Sequence, residues 1–326
     1  MARLLDSQTL LRDRYLIGGP IGQGGMGAVY RAEDTLLSGR ICAVKEITPD
    51  PDAGDDSLTQ LQDQFRREAS VLARLDHPNL PKVSDYFTQN GREYLVMDYV
   101  PGHNLRELVD KALADGGFLE ETTVLDWARQ LCDAISFLHS QDPPVLHRDI
   151  KPSNIKVTPS GLLKLVDFGL VKLLTTDEAR TVTVVQGQGT AAYTPLEQYG
   201  GDDTHTDTRT DVYALGATLY HLLAGRPPAT ARERFLRPSA LVPPRELNPR
   251  ISPGVERAIL QALELHPAAR PATIDDLARA LDRAQLPSSL APLILTPDEI
   301  RVTWKRNAPL LVVLAVLLAI AILITP

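Results

Sequence analysis

The chain has 326 residues, 44% hydrophobic and 23% charged, enough to bury a substantial core in one large two-lobed domain or two small ones, and not the composition of a disordered or fibrous protein. Its formal net charge of -7 gives no basic excess of the kind that nucleic-acid binders carry, so nucleic acid is not expected as a partner. Cys42 and Cys132 lie far apart in apolar segments and read as buried reduced thiols, and the N-terminus lacks the basic-then-apolar pattern of a secretory signal.

In chain order, β-rich stretches at 15–20, 28–32, 41–47, 83–89 and 94–98 predict a small sheet lobe. A single helix interrupts them at about 57–75, after the acidic, turn-prone segment 50–56, with Leu61, Phe65, Leu72 and Leu75 at helical spacing. Glu68 falls within that stripe. An unpaired carboxylate on an inward face is costly, and Lys45 is its natural partner. Beyond Val100 the pattern turns helical: Val124, Trp127, Ala128, Leu131, Ile135 and Leu138 mark a long helix that ends before Pro143-Pro144. Segments 211–223, 253–263 and 273–283 repeat the helical period between Pro-rich loops. The expected class is α+β, with a small β-rich lobe over about 15–98 and a larger helical lobe over about 101–283. The sequence contains no internal repeat.

Past residue 283 a Pro/Leu/Ser stretch, 284–307, reads as a juxtamembrane linker. Residues 308–324 are apolar throughout, with Pro309 near the start; these roughly seventeen residues would span ~26 Å as a helix against a hydrocarbon layer of ~30 Å. Arg301, Lys305 and Arg306 supply the basic cytoplasmic flank of a single-pass transmembrane helix, and Trp304 an interfacial aromatic. A buried core helix is the other reading, and the absence of any polar face argues against it. With the sequence ending at Pro326, the expectation is a tail-anchored protein or the remnant of a longer receptor, its main body cytoplasmic.

Chemistry-bearing residues fall in three places. Gly22-Gln23-Gly24-Gly25-Met26-Gly27-Ala28-Val29 offers backbone amides unobstructed by side chains, so the loop can close over a triphosphate. The same glycine spacing marks dinucleotide folds, where it opens into a helix; here Val29 continues a strand, and Ala43-Val44-Lys45 follows about one hairpin later. Lys45 on an otherwise apolar strand would be expensive without an anion to meet. The run His147-Arg148-Asp149-Ile150-Lys151-Pro152-Ser153-Asn154, followed by Asp167-Phe168-Gly169, supplies a proton acceptor, a phosphate contact and two hard oxygen ligands. That set is what phosphoryl transfer from ATP requires.

In this order the three clusters resemble the catalytic core of the eukaryotic-type Ser/Thr protein kinases, a family also found in bacteria, over about 15–283. The resemblance implies a two-lobed protein-kinase-like fold and an enzyme that transfers the γ-phosphoryl of ATP to Ser/Thr hydroxyls of protein substrates with Mg²⁺, Mn²⁺ being the alternative ion. It places Gly22, Gly24 and Gly27 over the phosphates and Lys45 between the α/β phosphates and Glu68. Val29 and Ala43 sandwich the base, while backbone groups of Asp98 and Val100 read the adenine edge with Met97 behind it. Asp149 becomes the catalytic base, Lys151 neutralises the transferring phosphoryl, and Asn154 and Asp167 hold the metal. Phe168 packs beneath the helix bearing Glu68, and His147 is structural.

By the same resemblance, Arg148 pairs with a phosphothreonine on the polar stretch that carries Thr175, Thr176, Thr181, Thr183 and Thr190. Thr181 and Thr183 are the candidate autophosphorylation sites, and Thr190 braces Asp149 and Lys151. Glu197 with Arg270, and Asp211 at a helix start, complete the structural set. Where the family ends this loop in Ala-Pro-Glu, the chain has Pro195-Leu196-Glu197, a departure that bears on peptide docking rather than on phosphoryl transfer. Expected partners are protein substrates, the membrane through the C-terminal helix, and a second copy in a homodimer for autophosphorylation. Two competing readings are a membrane-tethered pseudokinase scaffold, opposed by the full catalytic set, and a small-molecule phosphotransferase, opposed by Lys151 with segment 189–197.

Overall fold

Period-two alternation gives the N-terminal strands two apolar faces. The computed structural model describes residues 4–24, 27–47, 55–167, 190–199 and 206–284, the side chains of 55–61, 64 and 68 excepted. Within these residues β1 (Leu10–Leu11), β2 (Tyr15–Gly24), β3 (Gly27–Asp34), β4 (Ile41–Ile47), β5 (Val83–Gln89) and β6 (Arg92–Asp98) form an antiparallel sheet in the order β1-β2-β3-β4-β6-β5. One face gathers Tyr15, Tyr30, Ala32, Cys42, Val44, Tyr94 and Val96. The other gathers Ala43, Ile47, Leu95 and Met97, and it packs with Phe65, Ala69 and Leu72 of α1 (Asp55–Leu72). Strands β4 and β5 have the predicted bounds. Strands β2 and β3 run further, to Gly24 and Asp34, because they pair as one hairpin through the glycine loop.

The helical lobe is organised around α4 (Arg209–Ala224), every residue of which from Thr210 to Ala224 is buried. A helix enclosed on all sides needs cover on all sides. It packs with α3 (Glu121–His139), α7 (Pro253–Ala262) and α8 (Ile274–Ala284), and short helices α5 (Ala231–Leu236) and α6 (Pro244–Leu247) lie between α4 and α7 in sequence. Helix α3 buries Val124, Ala128, Leu131, Ile135 and Leu138, the predicted stripe, while Trp127 is only half-buried. Both cysteines are free and buried.

Helix α2 (Leu105–Ala114) and the three short strands β7 (His103–Asn104), β8 (Ile155–Val157) and β9 (Leu163–Leu165), which form a second antiparallel sheet, are additional to the predicted elements. Helix α2 buries only Leu105 and Val109, too few for a periodic signal, although its start is marked: Asn104 and Glu107 form a reciprocal capping box. Among the described residues no helix is long and apolar enough to cross a membrane. The predicted span 308–324, and the linker beyond Ala284, lie outside the described residues.

Candidate active site

Strand register builds the upper wall. Val29 stands opposite Lys45 across β3 and β4, while Ala43 and Lys45 stand opposite Met97 and Leu95 across β4 and β6. Val29, Ala43, Lys45 and Met97 therefore share one face. Gly22 pairs with Val29 and Gly24 with Gly27 at the hairpin end. At Gly27, φ is 149° and a Cβ would fall 1.9 Å from the Glu46 carbonyl oxygen, so only glycine lets β3 lie this close to β4. Lys45 crosses from this wall to form an ion pair with Asp167, a contact the sequence reading did not name. Glu68 lies on α1, but its side chain, and so the expected pair with Lys45, lies outside the described residues.

The lower wall is the loop between α3 and β8. Asp211, fully buried at the start of α4, accepts the backbone N–H groups of His147 (2.9 Å) and Arg148 (2.8 Å) and contacts His139 Nε2 (2.9 Å). Arg148 adopts φ 60°, a left-handed conformation that a non-glycine residue keeps only when its surroundings enforce it. The next residue, Asp149, is held on three sides. Lys151 Nζ donates to its two carboxylate oxygens at 3.0 and 2.9 Å, and Asn154 Nδ2 donates to its Oδ2 and to its backbone oxygen, both at 2.9 Å. Lys151 also donates to Thr190 Oγ1 at 3.1 Å, which ties the 190–199 segment to the loop.

Asp167 closes the group. The Val166 N–H donates to the Asn154 carbonyl at 2.8 Å, and Asp167 turns with φ 65°. Burial pushes its carboxyl up, but the Lys45 ammonium more than offsets this, helped by His147 and Lys151, and holds it below the usual carboxylate range. Asp211 behaves likewise: burial raises it, and its donors at His139 and His147 outweigh the rise. Burial holds the His147 imidazole below its ordinary value.

The donor set fits a hard divalent cation. Asn154 uses its amide N–H groups on Asp149, which leaves Oδ1 as its acceptor, and Asp167 contributes a carboxylate beside it. Two protein oxygens with phosphate and water completing the shell suit Mg²⁺, which favours few protein ligands.

A protein kinase domain model matches residues 15–277, which holds all of these groups. The chain belongs to the protein kinase family. Serine/threonine-protein kinase B of Synechocystis is 36% identical over 228 residues, covering 67% of this chain and 38% of its own length. Serine/threonine-protein kinase PknB of Mycobacterium leprae is 33% identical over 301 residues, covering 88% of this chain and 45% of its own. The chain thus spans less than half the length of these curated relatives. The solved apo form of PpkA-294 superposes with a TM-score of 0.66 at 30% identity, over 86% of this chain and all of that one. The two-lobed protein-kinase-like fold is the fold of this chain.

Other family positions fall as follows in this kinase-family chain. Glu197 and Arg270 form a bidentate pair, 2.6 and 3.1 Å, with the Arg270 side chain wholly buried and also donating to the carbonyls of Glu264, Leu265 and Arg209. Met97 and Val100 are buried at the junction of the lobes, with Asp98 between them at the end of β6. Gly25, Met26, Phe168, Gly169, Thr175, Thr176, Thr181 and Thr183 lie outside the described residues. Two residues near the site escaped the sequence reading: Lys156, which donates to the Val100 carbonyl, and His221, which meets the Tyr193 hydroxyl. Lys156 stands between apolar Ile155 and Val157, which is the available signal, whereas His221 shares α4 with other polar residues such as Asp211 and Thr218 and does not stand out.

Proposed function

We propose that this chain is an ATP-dependent Ser/Thr protein kinase, activated by autophosphorylation at Thr181 or Thr183 and anchored to the membrane by its C-terminal segment. The observation that carries the reading is Asp149, held by Lys151 and Asn154 while the Lys45–Asp167 pair stands beside it. Asp149 orients a substrate hydroxyl and accepts its proton. Lys151, already bonded to Asp149, offsets charge developing on the transferred group. Asn154 and Asp167 would hold Mg²⁺, whose chemistry is charge neutralisation at the phosphates. Gly22, Gly24 and Gly27 leave backbone N–H groups clear for phosphate oxygens, and Lys45 adds a cation. Rate enhancement then comes from alignment and fixed charge.

Protein substrates follow from the named relatives, both Ser/Thr-protein kinases. Arg148, beside Asp149, supports pairing with a phosphorylated Thr181 or Thr183, by trans-phosphorylation in a homodimer. Residues 308–324 support a single-pass anchor with the kinase domain cytoplasmic. The test is transfer of labelled γ-phosphate with Mg²⁺ to the chain itself and to a protein substrate, wild type against Asp149→Asn, with phosphosite mapping and alkaline membrane extraction on the same material. Transfer lost in Asp149→Asn, phosphate on Thr181 or Thr183, and retention in the extracted membrane are expected. Equal transfer by both proteins refutes the role of Asp149.

A further inference from the structure

Lys156 is half-buried on β8, immediately after the core residue Ile155, and its ammonium donates to the backbone carbonyl of Val100 at 2.8 Å. The Tyr99 ring lies 5.7 Å from the same nitrogen and 5.9 Å from the Arg31 guanidinium, so Lys156 is held against the junction by a carbonyl and a ring face. The chain leaving the junction is built for this approach. At Gly102, φ is 104° and a Cβ would fall 2.0 Å from the Val157 oxygen, so β7 can lie on β8 only with glycine there. A lysine carried into partial burial to cap one carbonyl changes what that carbonyl can do.

In extended chain the carbonyl of one residue and the N–H and carbonyl of the residue two further on face the same side. Under the ATP reading those are the Asp98 carbonyl, the Val100 N–H and the Val100 carbonyl, and Lys156 stands on the last of them. Adenine presents along one edge an amine donor at N6, an acceptor at N1 and a bare C2. The first two match the Asp98 carbonyl and the Val100 N–H. A purine with a 2-amino group adds a donor at C2, which a bare Val100 carbonyl would welcome. With Lys156 on that oxygen, the 2-amino hydrogens meet an ammonium instead. We propose that Lys156, by capping the Val100 carbonyl, is a specificity residue that rejects purine nucleotides carrying a 2-amino group, an inference resting on the ATP reading above.

The test measures binding of Mg-ATP and of its 2-amino analogue, 2,6-diaminopurine riboside triphosphate, by competition against a fluorescent ATP derivative. Wild type should bind the analogue roughly tenfold more weakly than ATP, the scale of one charge-assisted hydrogen bond lost or opposed. Lys156→Met, which keeps the stem and removes the cation, should bring the two nucleotides within about twofold, while Lys156→Arg should keep the gap. The wild-type comparison needs no variant to fold. Equal binding of both nucleotides by wild type, or an unchanged gap in folded Lys156→Met, overturns the role of Lys156. Wild type binding neither nucleotide overturns the kinase reading itself.

Discussion

Asp211 accepts the backbone N–H of Arg148 at 2.8 Å from 63 residues further along the chain, and Arg148 holds its left-handed backbone directly before Asp149. A carboxylate can serve the N–H groups of both His147 and Arg148, one on each oxygen. An amide turns one oxygen into a donor facing a donor. Asp211→Asn is therefore expected to lower unfolding free energy by about 2–4 kcal/mol, the scale of an unsatisfied group in a buried charged network. Phosphoryl transfer should fall at least roughly tenfold as Asp149 loses its placement. Urea unfolding and initial rates check the two halves. Lost stability with an unchanged rate would remove the positioning role.

The Glu197–Arg270 pair makes an asymmetric prediction. Arg270 donates to three backbone carbonyls besides Glu197, whereas among the described residues Glu197 accepts from Arg270 and Thr210. Arg270→Ala should destabilise by about 3–5 kcal/mol, since it strands a buried carboxylate and three carbonyls, and Glu197→Gln should cost less because the amide oxygen still accepts. Denaturant midpoints of the two variants give the order. An equal or reversed order would mean that Arg270 acts through Glu197 alone.

Much of this site was legible because its residues are chemically expensive where they stand. Lys45 on an apolar strand and carboxylates beside an amide needed partners, and the structure brings Lys45, Asp149, Asn154 and Asp167 together. Long elements were legible for a related reason: α3 and α4 repeat buried positions over many turns, while α2 buries two residues and β7 to β9 are two or three residues long. What could not be read was that Lys45 also meets Asp167, 122 residues away, since only tertiary placement brings the two together. The Lys156 contact was hidden because its acceptor is a backbone oxygen, which every residue carries.

The Lys45–Asp167 pair predicts an acid response. Asp167 has its folded-state value held below the ordinary carboxylate range, so the stability it adds is present above that range and is lost as pH falls through the depressed value. Lys45→Met removes the main group holding it down while burial still raises it. In that variant Asp167 takes up its proton more readily folded than unfolded, so its share of the acid loss should disappear or reverse and the acid limb should shift to a shallower slope. Unfolding midpoints measured from pH 3 to pH 6, roughly the span of carboxylate titration, read the shift. Superimposable curves would show that Lys45 does not govern Asp167.

Tyr193 and His221 carry a second acid-sensitive contribution, this time through a buried base. The Tyr193 oxygen lies 2.5 Å from His221 Nδ1, and both side chains are buried. Burial, with Arg106 adding and Asp110 opposing, pushes the imidazole from 6.5 down to about 4, while burial raises the Tyr193 phenol well above its usual value. At neutral pH the phenol therefore donates and Nδ1 accepts, which puts the imidazole proton on Nε2. Unfolded, the same histidine takes a proton near its ordinary value. Between there and about 4 the unfolded chain binds a proton that the folded chain refuses, so stability is complete above the ordinary value and declines on acidification, by up to about 3 kcal/mol over the window. His221→Gln, neutral at every pH, should remove this share of the slope while leaving the carboxylate share. Tyr193 lies in the segment that Lys151 ties to Asp149 through Thr190, so the same loss should loosen the catalytic loop. Urea unfolding at several pH values between the two limits, run on wild type and His221→Gln, measures it; equal slopes would show that His221 is not the group refusing the proton.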